Sequence, residues 1–478
     1  MTFIQRIKAQ TDSLALTKKT TFLFLSLIVC LAGILRWYHI GTQSLWFDEL
    51  VSAAQSRMDL PNLVLSLEND FQAPLYYFLL HYWVKIFGIS EIALRSMSFV
   101  LGLLTIPMIY LVGKELINPF TGLMSALLLS LSSFHIYFSQ ETRSYCLIGF
   151  LTLISFHFFI MIVKRGNKKQ YIVGFIITNV FLLYTHSIAI FILLTQNIIW
   201  FIIKLFKKKQ IGYLQWTLYQ ILSLLLFTPW LLIEINQLKE FQGMMIFSVP
   251  NIYGLLNTFY QYSGSFSLLF LFCLIFLLGL YSGFRRFSFQ ESFPIWSTTV
   301  FLLIWIGFPI LVPFILSQFI TPIYNARNTL GAAFGFYILM GKSLTAIKYI
   351  IITTLLFFVM LIASAQKLNT YYSVPDKEQW REAVEYVDRY AQPGDMISII
   401  APAYEYYNKR YDLVRVEDFS EQPDQQNVSS LPRLWVIKST GEEPGILQTI
   451  KGTFTYNKKK DFFRVSVSLY TNNSLNIR

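Results

Sequence analysis

The chain has 478 residues, of which 54% are hydrophobic, 17% aromatic and only 14% charged, and its mean hydropathy is +0.49. Soluble domains carry roughly 25% charged residues, so this balance excludes an ordinary soluble enzyme and describes an integral membrane protein. The net charge of +12 belongs to residues 1–365, which hold 24 Lys and Arg against 12 Asp and Glu, whereas residues 366–478 hold 15 of each; it reports membrane topology and excludes a nucleic-acid surface.

In chain order, the N-terminus carries Arg6, Lys8, Lys18 and Lys19 before a first apolar run that no small-residue cleavage site follows, which predicts a retained helix and not a signal peptide. Stretches of about 20 apolar residues span a bilayer as helices. Eleven are predicted, near 21–39, 92–113, 119–138, 145–163, 171–186, 188–206, 213–233, 265–283, 294–316, 328–341 and 346–365. Lys and Arg of short loops stay cytoplasmic, and the basic N-terminus, K-R-G-N-K-K, K-L-F-K-K-K and F-R-R-F all fall on one side of this scheme. The N-terminus is therefore expected in the cytoplasm and the C-terminus outside a plasma membrane. Two domains are expected: a transmembrane domain over 1–365, with a large outer loop at 41–91, and a small extracytoplasmic α/β domain over 366–478. The latter is read from a helix in W-R-E-A-V-E-Y-V-D-R-Y, a turn in P-G-D and a strand in M-I-S-I-I. Cys30, Cys146 and Cys273 all lie in apolar runs and read as structural thiols. The chain has no Walker loop, dinucleotide fingerprint, H-E-x-x-H or clear internal repeat.

Three outward turns deliver charge to one surface. S-L-W-F-D-E-L places Asp48 and Glu49 together after the first run, S-Q-E-T-R-S-Y places Glu141 and Arg143, and T-P-I-Y-N-A-R-N places Tyr324 and Arg327. The acidic pair has two readings. One is a solvated loop or the first turn of a helix, where acids are favoured. In the other, carboxylates deprotonate a nucleophile or hold a divalent cation through oxygen ligands such as Asp48, Glu49, Glu141 and Asp70. Guanidinium groups bind phosphate with a two-bond fork. The aromatics Trp46, Phe47, Tyr76, Tyr77, Tyr82 and Trp83 suit a membrane interface or flank a lipid-like or sugar-like ligand.

The segments S-L-W-F-D-E-L, A-P-L-Y-Y-F-L-L-H-Y-W, A-L-R-S-M-S-F-V-L-G, F-H-I-Y-F-S-Q-E-T-R-S-Y and Q-W-R-E-A-V-E-Y together resemble glycosyltransferase family 39, the polyprenyl-phosphate sugar transferases that include protein O-mannosyltransferases and the lipid A aminoarabinose transferase. The resemblance implies a GT-C-type fold and an inverting transfer from a polyprenyl-phosphate donor to an extracytoplasmic acceptor. It assigns Asp48 the base or acceptor-orienting role, with Glu49 and Glu141 as companion acids and Arg143 in the family's second turn. Arg143, Arg327 and Lys85 are expected at the donor phosphate, and Asp70, Tyr76, Tyr145, His186 and Tyr324 at the substrate. Gln72-Ala73-Pro74 stands where the family often has His-Pro-Pro, and Arg327-Asn328 where it often has Arg-Tyr. Other readings remain beside these. His186 is structural or touches sugar, Lys85 binds phosphate or snorkels, Glu91 and Arg95 cap the second span, and Glu234 and Lys239 lie in an outer loop. Rival functions are a transporter or lipid flippase, whose charges would lie mid-span, and an inactive lipid-binding homologue.

Overall fold

The protein is described by a computed structural model over residues 17–206, 212–241, 249–285, 294–320, 322–410, 412–415, 432–441 and 444–473. Arg6, Lys8, Lys207, Lys208, Lys209 and Arg286, on which part of the topology rests, lie outside the described residues, as does the side chain of Lys239. Two compact units are present: a helical unit of residues 1–38, 64–78 and 96–371, and a sheet-bearing unit of residues 39–63, 79–95 and 372–478.

Each of the eleven apolar runs is helical, and the chain is a polytopic α-helical membrane protein with a small sheet. Their lengths differ from the expectation of eleven plain spans. Among the described residues six helices are long and apolar enough to cross a membrane, or up to eight if each of two bent pairs is one span. The run at 119–138 breaks into Pro119–Leu131 and Ser133–Ser139, bent by 66°, and Ile252–Ser263 meets Phe266–Ser282 at 87°. Lys169–Leu183 has 15 residues, about 22 Å at 1.5 Å per residue, short of a hydrocarbon core of about 30 Å.

The breaks follow from local chemistry. The Ser132 side chain accepts from the His135 N–H, starting a new helix where the previous one ends. Gly264 closes Ile252–Ser263 with φ +90°, a left-handed conformation in which other residues are strained. The interior is aromatic: Phe156 stacks on Trp305 at 3.6 Å, and the Trp305 indole donates to the Gly331 carbonyl at 3.0 Å. Close approach needs glycine at Gly122, where a Cβ would meet the Tyr110 carbonyl oxygen at 2.5 Å. Outward faces are apolar, with Phe22, Leu27, Ile34, Leu225 and Ile351 all exposed, as lipid-facing helices require.

In the other unit five strands are ordered β2-β1-β3-β5-β4, with β1 Met396–Ser398, β2 Val414–Arg415, β3 Arg433–Ser439, β4 Phe454–Phe462 and β5 Val465–Asn472. β1 runs parallel to β2 and β3, pairing Met396 with Val414 and with Leu434. β5 runs antiparallel to both β3 and β4. The central β3 buries Leu434, Trp435, Val436 and Ile437 in succession because both its faces are covered. One face packs Met396, Leu434 and Val436 on Ile446, Ile450 and Phe454. The helix read from W-R-E-A-V-E-Y-V-D-R-Y is Trp380–Tyr390, whose buried residues Trp380, Ala383, Val384 and Val387 follow helical spacing. The edge strand β4 is mostly exposed and carries Lys458, Lys459 and Lys460, charges that discourage further strand pairing.

Candidate functional site

Asp48 and Glu49 stand in the first turn of the helix Phe47–Arg57, where a macrodipole favours acids. Their side chains meet different surroundings. Glu49 is fully buried and takes a two-bond fork from Arg95, Nε to Oε1 at 2.9 Å and Nη2 to Oε2 at 2.7 Å. Lys377 adds its ammonium to Oε2 at 3.0 Å. Arg95 also donates to the carbonyls of Ile40, Gln43 and Ser44, so Glu49 and Arg95 lock the approach to the helix. A second acid, Glu378, accepts from the Phe47 N–H at 3.1 Å and from the Trp380 indole at 2.7 Å. Asp48 is half-buried, and Ser52 Oγ donates to its carbonyl at 2.9 Å. Nearby Glu91 accepts from the Tyr407 hydroxyl and from Arg381, each at 2.6 Å. Burial, then the Glu91 carboxylate, raises the Tyr407 hydroxyl well above its ordinary range and keeps it protonated.

In the helical unit the turn Gln140–Ser144 is buried. Gln140 holds it by donating to the carbonyls of Arg36 and Tyr38 at 2.9 and 2.7 Å and accepting from the Tyr371 hydroxyl at 2.9 Å. Glu141 is 1% exposed, and its carbonyl accepts from the Arg143 N–H at 2.9 Å. The Arg143 guanidinium donates to the Tyr77 hydroxyl at 3.0 Å, and Tyr77 in turn donates to Gln72 at 2.9 Å. Gln72, where the family often has His, thus supports Arg143 through Tyr77.

His186 sits in the turn between Lys169–Leu183 and Ala189–Phe206. Burial, then the charges of Arg143 and Arg327, lowers it to about 4, so its ring is neutral at pH 7. The Ile188 N–H donates to Nδ1 at 3.3 Å, leaving the proton of the neutral ring on Nε2. The Tyr145 ring lies 6.4 Å from that of His186. Arg143 and Arg327, from separate stretches, thus both bear on His186 through their charge. Such a group suits an anion held by charge and by a ring N–H.

The remaining predicted residues are placed as follows. Tyr76 is buried, its hydroxyl 3.3 Å from Ser98 Oγ. Tyr324 is buried against Thr258, and its N–H donates to Ser317 Oγ at 2.9 Å. Arg327 lies in the short 3-10 helix Ala326–Thr329. Asp70 is exposed and accepts from Ser66 Oγ at 3.4 Å. Lys85, in the other unit, is exposed with its ammonium 5.3 Å over the Tyr82 ring. Glu234 corrects the loop reading: the helix Tyr213–Phe241 runs through it, because neither Gly nor Pro stands between residues 230 and 242 to end the helix begun in the apolar run. Its carboxylate accepts from Ser187 Oγ at 3.0 Å, next to His186. As for a cation, both Glu49 oxygens face Arg95 and Lys377, and among the described residues no three His, Cys, Asp or Glu side chains gather to hold one. The side chains present do not fit a metal centre built on the acidic pair.

The family described as dolichyl-phosphate-mannose-protein mannosyltransferase matches residues 71–233, the segment containing Arg143 and His186. ArnT from Cupriavidus metallidurans in the apo state matches 95% of this chain and 98% of its own at TM-score 0.62 and 11% identity. The same protein bound to undecaprenyl phosphate matches 93% and 97% at TM-score 0.60 and 10% identity. The chain has the GT-C fold. The Archaeoglobus fulgidus oligosaccharyltransferase shares the GT-C fold over 95% of this chain and 74% of its own, at TM-score 0.53 and 13% identity. In sequence, an uncharacterised protein of Aquifex aeolicus is 23% identical over 353 residues, 71% of this chain and 68% of its own.

Sequence reasoning read Arg95 only as a cap and did not consider Lys377, Glu378 or Tyr407. Arg95 lies in A-L-R-S, one of the segments that carried the resemblance, and that was a usable signal. Nothing in the tail's composition marked Lys377, whose partner is 328 residues away.

Proposed function

We propose that this GT-C chain is a membrane glycosyltransferase that moves one sugar from a polyprenyl-phosphate carrier to an acceptor at the extracytoplasmic face of a plasma membrane, with inversion. The observation that carries this reading is the fold shared, over 93% of the chain, with ArnT bound to undecaprenyl phosphate; the helical unit adds Arg143 and Arg327, whose charges both bear on the neutral His186. Two guanidiniums and a ring N–H suit a leaving phosphate, whose charge grows as the sugar departs. In the proposed reaction an acceptor hydroxyl or amine attacks the anomeric carbon and its proton passes to Asp48. The bond from that carbon to the phosphate oxygen breaks, and the electron pair leaves with polyprenyl phosphate. Glu49, engaged by Arg95 and Lys377, is assigned a positioning role for the turn that bears Asp48. Glu141 is proposed as a second acid, Lys85 as an outlying attractor of lipid phosphate, and Asp70, Tyr76, Tyr145 and Tyr324 as substrate contacts. The N-terminus is proposed to be cytoplasmic, residues 1–365 to form the transferase domain and 366–478 an extracytoplasmic domain. The test is transfer by the purified chain in liposomes supplied with polyprenyl-phosphate sugars or with soluble nucleotide sugars. Product only from the carrier-linked donor supports the reading; transfer from a nucleotide sugar that ignores the carrier overturns it.

A further inference from the structure

A line of buried hydroxyls joins the two arginine-bearing turns of the helical unit, Gln140–Ser144 and the 3-10 helix Ala326–Thr329. Ser132 starts the helix Ser133–Ser139, which runs directly into the first turn. Its Oγ lies 2.6 Å from the hydroxyl of Tyr337, in the helix Leu330–Ala346. Tyr337 has one hydroxyl proton, and it goes to the Tyr262 carbonyl at 2.8 Å. Ser132 is therefore the donor to Tyr337, while its oxygen accepts from the His135 N–H at 3.2 Å. The Tyr262 hydroxyl in turn donates to Thr329, shared between the carbonyl oxygen at 2.7 Å and Oγ1 at 2.6 Å. Thr329 Oγ1 gives its own proton to the Ala326 carbonyl at 2.7 Å, closing the short helix around Arg327.

Every hydroxyl of the line has both a proton destination and a fixed place, and Tyr262, Thr329 and Tyr337 are each only 1% exposed. A buried hydroxyl that loses its partner stays unsatisfied, so such a network holds its members in one arrangement. An apolar contact reinforces it: the ring of Phe134, in the helix that Ser132 starts, lies 5.2 Å from that of Tyr262. In an interior packed with phenylalanine, a tyrosine of the same shape at both positions adds only its hydroxyl, and both hydroxyls lie on this line. The ends give the line its role. Arg143 stands in the turn that one end introduces, Arg327 in the short helix that the other end closes, and both charges bear on His186. Two guanidiniums act together on one phosphate only when their separation is held. We propose that Tyr262 and Tyr337 are positioning residues that set the separation of Arg143 and Arg327 for a polyprenyl phosphate, an inference that rests on the donor reading given under the proposed function.

The test measures binding of farnesyl phosphate, a short polyprenyl phosphate, to the full chain in a neutral detergent by isothermal titration calorimetry, with farnesol as the uncharged control. The parent is expected to bind farnesyl phosphate and not farnesol; without that preference the donor reading falls, and this inference with it. Tyr262→Phe and Tyr337→Phe keep the ring packing and should each raise the dissociation constant about tenfold, the value of one charge-assisted hydrogen bond. In an Arg327→Lys background, where one fork is already gone, the same changes should add no more than about twofold, because residues that act through one another are not additive. Parental affinity in either phenylalanine variant makes that hydroxyl part of the fold alone and overturns the inference while the donor reading stands. An equal loss in both backgrounds does the same, since the hydroxyls would then act independently of the arginine pair. If the phenylalanine variants do not fold, Thr329 decides. Thr329→Ser keeps the hydroxyl and should bind like the parent, whereas Thr329→Val should bind about threefold less well through loss of a neutral hydrogen bond; equal affinity of the two overturns the proposal.

Discussion

The two units each gather cations around one ionisable group, and the groups answer in opposite ways. In the sheet-bearing unit the group is an acid: Glu49 lies between Arg95 and Lys377, opposite charges that neutralise one another inside the fold. In the helical unit the group is a base, and burial, helped by the charges of Arg143 and Arg327, denies His186 its proton. The first arrangement completes its electrostatics with its own side chains and is suited to fix backbone. The second leaves its positive charge without a counter-charge at the buried, neutral ring, and in the proposed reaction the donor phosphate supplies one. A cluster of charged residues near a membrane surface is thus not one kind of signal; the sign of the central group separates a clamp from the site proposed for the donor phosphate.

The largest expected effect breaks the clamp. Glu49→Gln leaves Arg95 and Lys377 buried beside a neutral amide, and removing one partner of such a group costs about 3–5 kcal/mol, a large share of a typical total of about 5–15 kcal/mol. Purified Glu49→Gln should show a collapsed yield and a thermal midpoint lowered by many degrees. Asp48→Asn, one residue away and half-buried, should change stability by only about 0.5 kcal/mol while transfer falls by orders of magnitude. A stable, inactive Glu49→Gln would move Glu49 from the clamp into the chemistry, and an active Asp48→Asn would remove Asp48 from it.

This pairing shows what the sequence made legible. The adjacent acids of S-L-W-F-D-E-L and the charges of Q-E-T-R-S-Y stood out because carboxylates and guanidiniums are rare in so apolar a chain. The eleven apolar runs gave the helices for the same reason. What could not be read was which acid faces inward: in a helix's first turn, successive residues point about 100° apart, and only the partner decides. Glu49's partners come from 46 and 328 residues away, and no local pattern encodes such separations. The bends at Ser132 and Gly264 were equally hidden, since a serine and a glycine inside an apolar run do not announce an angle.

The second effect sharpens the binding side. Arg143→Lys keeps charge but loses the fork, and the loss of one charge-assisted hydrogen bond, about 1.5–3 kcal/mol, corresponds to roughly ten- to a hundredfold in donor use. Tyr77→Phe removes the hydroxyl that accepts from Arg143 and should give a smaller defect in the same parameter, near fivefold, a value of about 1 kcal/mol. Donor titrations at matched amounts of folded protein check both. Wild-type behaviour in Arg143→Lys would leave the guanidinium as packing.

The third effect is in pH dependence. His186 in the folded chain is lowered to about 4, whereas an unfolded histidine titrates near 6.5. Between those values the unfolded chain binds a proton that the folded one refuses. Stability is therefore full above about pH 6.5 and declines as pH falls toward 4. His186→Gln cannot bind that proton, so its thermal midpoint should fall less between pH 7 and pH 5 than the parent's. Equal falls would mean that His186 is protonated in the folded chain, and the contrast with Glu49 would then fail.

The smallest expected effect concerns Lys85, which belongs to neither cluster. Its ammonium is exposed above the Tyr82 ring, and an exposed charge attracts a lipid phosphate through water with about 1 kcal/mol at 4 Å. Lys85→Gln should therefore weaken donor use by no more than about fivefold at low ionic strength. At 1 M salt, where the screening length is about 3 Å, that difference should vanish, while the defect of Arg143→Lys persists because its hydrogen bond is buried. Ionic strength thus separates an attractor from a ligand. A Lys85→Gln defect that is large and insensitive to salt would show that the ammonium makes a direct, desolvated contact with the phosphate, and Lys85 would then join Arg143 and Arg327 as part of the donor site.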